Sequence, residues 1–136
     1  MRTIEKRSED LVIALLAAIA TRGVDTLRMN DRVIHEHFAT ALESLRRSGR
    51  DELVDLADGF YRSSITDTFD ELDNSLVTAE QYGFVKFPNP SYSRVVLAFS
   101  PRMAHRVLKN WQEDDRKALA NAADEFLGKT ANSKIA

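Results

Sequence analysis

The chain has 136 residues, 43% hydrophobic and 29% charged, with a formal net charge of −2 and no cysteine. That length supports one domain with a real core rather than two. The lack of cysteine excludes disulfides and thiolate metal sites and fits a reducing, cytoplasmic setting, and the near-neutral balance carries no global sign of nucleic-acid binding.

Residues 1–7 read as a charged lead-in. Ser8 is placed to cap a first helix, with Glu9 and Asp10 in its first turn, where carboxylates favour the helix dipole. Leu11–Ala20 is an unbroken apolar run with basic residues upstream, the outline of a signal peptide. Glu5, Glu9 and Asp10 offset Arg2, Lys6 and Arg7, however, and the run is far too short to span a bilayer. It is therefore read as a buried helix stopped by Gly23, with no membrane association. Because it is apolar nearly all round, it belongs in the middle of a domain or between two subunits.

Val24–Met29 suits a short strand that pairs with a later hairpin. Asn30 is placed to cap a helix reaching about Arg47, with a buried stripe at Ile34, Phe38, Ala41 and Leu45. His35 and His37 lie on this helix two residues apart and so point about 200° apart, too far to grip one metal ion. His37 borders the stripe, and His35 is assigned to the surface. Arg46, Arg47 and Arg50 flank Gly49 as a local basic cluster.

Asp51–Tyr61 reads as a helix burying Leu53, Leu56 or Val54, Ala57 and Phe60, and Tyr61-Arg62-Ser63-Ser64 as a tight turn. Ser64 or Thr66 then caps an amphipathic helix continuing to Tyr82, with its stripe at Ile65, Phe69, Leu72, Leu76 and Ala79. Gly83 closes that helix. Phe84–Phe87 and Ser93–Phe99 are strands, joined through Pro88, Asn89 and Pro90, which suit a turn. Ser100-Pro101 opens a last helix that runs to Leu127, with Gly128 as its stop and 129–136 frayed. Its stripe is interrupted near Asp114 and Asp115, two neighbours assigned to a solvated surface. Two packing regions on one long helix imply a homodimer, formed through the first and last helices.

The order helix, helix, hairpin over residues 51–100 resembles the winged helix-turn-helix superfamily, most closely the multiple-antibiotic-resistance regulator type. The resemblance rests on Tyr61-Arg62-Ser63-Ser64, on Tyr82-Gly83-Phe84-Val85 and on the hairpin with Arg94. It implies a mainly α fold with a small β-hairpin, made of N-terminal helices (8–47), a helix-turn-helix plus wing (51–100) and a long C-terminal dimerisation helix (101–127). It also implies a cofactor-free, DNA-binding transcriptional regulator, with Arg62, Ser63, Ser64 and Thr66 at the turn and Lys86 and Arg94 on the wing touching DNA.

Charge divides the chain differently. No lysine or arginine lies between Ser63 and Phe84, whereas Asp67, Asp70, Glu71, Asp73 and Glu80 do. A helix so charged opposes a phosphate backbone. From Gln81 to Gln112 no acidic residue appears, and Lys86, Arg94, Arg102, Arg106 and Lys109 are all cationic. These cations either track a nucleic-acid backbone or answer the acidic helix, within the fold or across a dimer. The alternative function is accordingly a winged-helix module acting through protein contacts, with Asp67, Asp70, Glu71 and Asp73 facing a basic partner. His105 has no nucleophile or carboxylate at motif spacing, and no glycine-rich phosphate loop or Gly-x-Ser-x-Gly turn occurs, so no catalytic template fits and no enzyme is expected.

Overall fold

A computed structural model describes residues 7–28, 33–65, 69–87 and 94–135. The elements run α1 (Ser8–Ala20), β1 (Thr26–Arg28), α2 (Val33–Arg47), α3 (Asp51–Asp58), α4 (Asp70–Gln81), β2 (Val85–Lys86), β3 (Arg94–Leu97), α5 (Pro101–Lys109) and α6 (Glu113–Ile135). Every residue from Leu11 to Ile19 is buried, and α3, α4, α5 and α6 all pack on α1. A helix without a polar face is thus satisfied inside a single chain and needs no second subunit to cover it. Asp10 accepts a hydrogen bond from the Arg7 N–H, so Arg7 rather than Ser8 occupies the cap position. Gly23 stands just past the helix end at φ +82°, a backbone region that glycine enters without steric cost.

The three strands form an antiparallel sheet in the order β1-β3-β2, with Thr26 opposite Val96 and Val85 opposite Leu97. The expected pairing of the Val24–Met29 region with the hairpin is therefore present. Val85, Val95 and Leu97 point into the core, while Lys86 and Arg94 face out, the alternation a half-buried strand requires. The architecture is mainly α with a small β-hairpin, and this arrangement is compatible with a winged helix. The turn at Pro88, Asn89 and Pro90 lies outside the described residues, as do Asn30, Thr66 and Asp67.

Two helices differ from expectation. The helix expected from Ile65 to Tyr82 begins only at Asp70, and α3 ends at Asp58, so the tight turn expected at Tyr61–Ser64 gives way to a longer connection. The cause is local. A helix through this region would send the Phe69 N–H to the carbonyl of Ile65. Instead Phe69 donates to Nδ1 of His35 (3.0 Å), pairs with Arg62 as an isolated β-bridge and adopts an extended φ of −99°. Ser63 Oγ accepts from the Ile65 N–H, a side-chain bond that competes with helix formation. Ile65, assigned to the buried stripe, is 93% exposed.

The long helix expected from Ser100 to Leu127 is two helices, parted at 110–112. The Asn110 and Trp111 N–H groups bond back three residues, to Val107 and Leu108, which tightens and ends α5. Trp111 is buried at this corner. Its carbonyl accepts from Arg116 (2.7 Å), while the first backbone bond of α6 runs from Arg116 N–H to the Gln112 carbonyl. A long C-terminal helix does follow, displaced toward the C-terminus, and it passes through Gly128 without stopping. Ser100 Oγ accepts from the Met103 N–H with Pro101 as the first helical residue, so the α5 start is as expected.

Candidate functional site

Once Leu72, Ser75, Leu76 and Ala79 are turned inward, helical spacing fixes what α4 presents to solvent. Asp70, Glu71, Asp73, Asn74, Val77, Glu80 and Gln81 are all exposed. Val77, at 51% exposure, lies four residues after Asp73, seven after Asp70 and three before Glu80, so carboxylates border an apolar patch on one face. Tyr82, at the helix end, is 67% exposed and stacks obliquely toward Phe84, with ring centroids 6.1 Å apart. Gly83 then turns the chain into β2 at φ +81°.

The start of this helix is tied to α2 by His35. The sequence places that imidazole on the surface, but it is buried. Its Nδ1 accepts the Phe69 N–H, and its Nε2 stands 3.6 Å from Asp73 Oδ1. Nearly parallel stacking against the Phe69 ring completes the contact. Partial burial raises the Asp73 carboxyl above its ordinary range, and the nearby Asp70 adds to the rise.

Of the sequence-predicted nucleic-acid residues, Arg62 is engaged within the fold. Arg62 pairs with Glu36 and lies over the Phe69 ring, 5.6 Å from its centroid. The turn serines sit beside it, Ser63 bonded to Ile65 and Ser64 exposed. The basic cluster at Gly49 is likewise answered from within. Arg46 pairs with Glu43 and Asp58, Arg47 with Glu125, and Arg50 with Asp114 and Asp115. Asp115, assigned to solvent, is 3% exposed, and its bond to Arg50 Nε is 2.8 Å. That hydrogen bond chiefly, and then the charges of Asp115, Asp114 and Asp51, hold the Arg50 guanidinium above its ordinary pKa against the opposing effect of desolvation.

Lys86 and Arg94 on the sheet, and Arg102, His105, Arg106 and Lys109 on α5, are exposed. No carboxylate among the described residues forms a salt bridge with any of them. On α5 these four form a continuous outer face, opposite Ala104, which is buried. The molecule is therefore polar in the electrical sense, acidic along α4 and cationic along β2, β3 and α5. Among the described residues no His, Cys, Asp or Glu cluster could hold a metal ion, and no helix is long and apolar enough to cross a membrane.

Val77 and Tyr82 are the site residues that sequence reasoning passed over. Val77 was legible as an apolar residue lying off the stripe of Leu72, Leu76 and Ala79. His35 was not, because its burial depends on a partner backbone that sequence reasoning placed inside a helix. No protein-family model matches this chain, and no curated protein or solved structure matches it either.

Proposed function

We propose that this protein is a binding module of winged-helix type that acts through protein contacts, with the outer face of α4 meeting a basic partner. One observation carries the reading: Val77 stands half-exposed among Asp70, Asp73 and Glu80 on a helix without a single lysine or arginine. An apolar centre ringed by charge of one sign is the composition of a protein-docking patch. A phosphate backbone against the same face would meet carboxylates and no cation.

The test is fluorescence anisotropy with a labelled amphipathic helical peptide of lysines and leucines. Val77→Ser and Glu80→Lys should each weaken binding by roughly tenfold, about 1.4 kcal/mol. Equal binding by both variants and the unaltered protein would remove the reading.

A second reading rests on different residues. Lys86, Arg94, Arg102, Arg106 and Lys109 are exposed and carry no counter-ion among the described residues, and this supports backbone contact with DNA along the hairpin and α5, as a regulator of the multiple-antibiotic-resistance type would make. On this reading a mixed-sequence duplex binds with steep salt dependence, and Arg94→Ala weakens it at every sequence. Homodimer formation is part of either reading.

A further inference from the structure

A groove of about 730 Å³ runs between the C-terminal end of α1 and α5. Phe99, Ala104 and Leu108 give it an apolar floor, Lys109 and Arg116 supply its positive charge with His105 beside them, and no carboxylate among the described residues lines it. Arg116 is held in place by its bond to the Trp111 carbonyl, and His105 and Lys109 stand one helical turn apart on α5. The groove thus offers an apolar base beneath positive charge, and it asks for an occupant with an apolar projection flanked by negative charge.

The same chain carries such a projection. Val77 and Tyr82 are exposed large apolar side chains on and just after α4, and Asp70, Asp73 and Glu80 stand around Val77. We infer that the groove between α1 and α5 receives the α4 face of a second copy of this chain, Val77 resting on its apolar floor and the α4 carboxylates meeting His105, Lys109 and Arg116. The inference rests on the docking reading of α4 and names its partner. Sign complementarity fixes the register and speeds the encounter, while the buried apolar contact holds the pair. Each copy has one face of each kind, so association is head-to-tail unless the two faces close around a two-fold axis.

Sedimentation velocity on the full chain tests it, over a range of protein concentrations in about 0.05 M and about 0.5 M salt, which shortens the Debye length to a few ångströms. The expected result is a concentration-dependent species larger than the monomer at low salt that recedes at high salt. The double variants Asp70→Lys/Glu80→Lys and His105→Glu/Lys109→Glu change only exposed side chains. Each alone should associate at least about tenfold more weakly. Mixed in equal amounts, the two should recover the complex, since the reversed α4 now fits the reversed groove. A monomer at every concentration and salt overturns the inference, as does association that neither variant weakens or that mixing fails to restore. If the monomeric protein still binds the lysine-leucine peptide through Val77, self-association alone has failed; if peptide binding is lost as well, the docking reading has failed with it.

Discussion

A neutral imidazole has one acceptor nitrogen, and in His35 that nitrogen is Nδ1, committed to the Phe69 N–H; the proton then resides on Nε2, facing Asp73. His35→Ala leaves a buried backbone N–H without this acceptor, so urea denaturation should show a loss of about 1–3 kcal/mol. His35→Phe fills the space but not the hydrogen bond, and is expected to recover little. The Arg50–Asp115 pair behaves differently, because Asp115 is buried while the Arg50 side chain keeps about a third of its surface in water. Asp115→Ala should cost about 2 kcal/mol, less than the ~3–5 kcal/mol of a fully buried pair, since water re-solvates part of the guanidinium. At the surface, the hydrogen bond from Arg22 lowers the Asp124 carboxyl below its ordinary pKa. A depressed carboxylate contributes stability above its unfolded value, near 3.9, and loses it as pH falls through the folded value. Asp124→Asn should therefore flatten the acid limb of the stability profile while changing neutral-pH stability by less than about 1 kcal/mol.

At the scale of the element, helix ends carry the decisive chemistry. Gly83 turns α4 into β2 with a positive φ and no side-chain crowding nearby, so backbone strain alone opposes a side chain there. Gly83→Ala should lower stability by about 1–2 kcal/mol, measured by thermal unfolding. Trp111 fills the corner between α5 and α6, and Trp111→Ala should cost about 3–5 kcal/mol. These corners also decide what was legible in the sequence. The unbroken apolar run was sufficient for α1 and periodicity for α2, and glycine chemistry for the ends of α1 and α4. Periodicity was insufficient where a helix starts or breaks without glycine or proline. Ile65 matches the spacing of the α4 stripe, yet Ser63 and His35 divert the backbone bonds that a longer helix would need. Glu113, Asp114 and Asp115 mark the first turn of α6 as acidic residues commonly do, a start signal hidden inside an apparently continuous helix.

For the whole molecule, segregated charge matters more than its net value of −2. Arginines that sequence alone would pool into a basic surface, Arg46, Arg47, Arg50 and Arg62, are consumed by Glu43, Asp58, Glu125, Asp114, Asp115 and Glu36. Pairing of that kind depends on tertiary neighbours and was invisible in the sequence, whereas the acidic run of α4 and the acid-free run through α5 could be read directly. Among the described residues, the surface carries an acidic face with an apolar centre on α4 and a cationic face beside an apolar groove. Amide chemical-shift mapping of the isotope-labelled protein, titrated in parallel with the lysine-leucine peptide and with a mixed-sequence DNA duplex, tests this account most directly. It predicts that the peptide moves the amides of residues 70–82 and that the duplex leaves them in place. Duplex-induced shifts along α4, with no response there to the peptide, would contradict it.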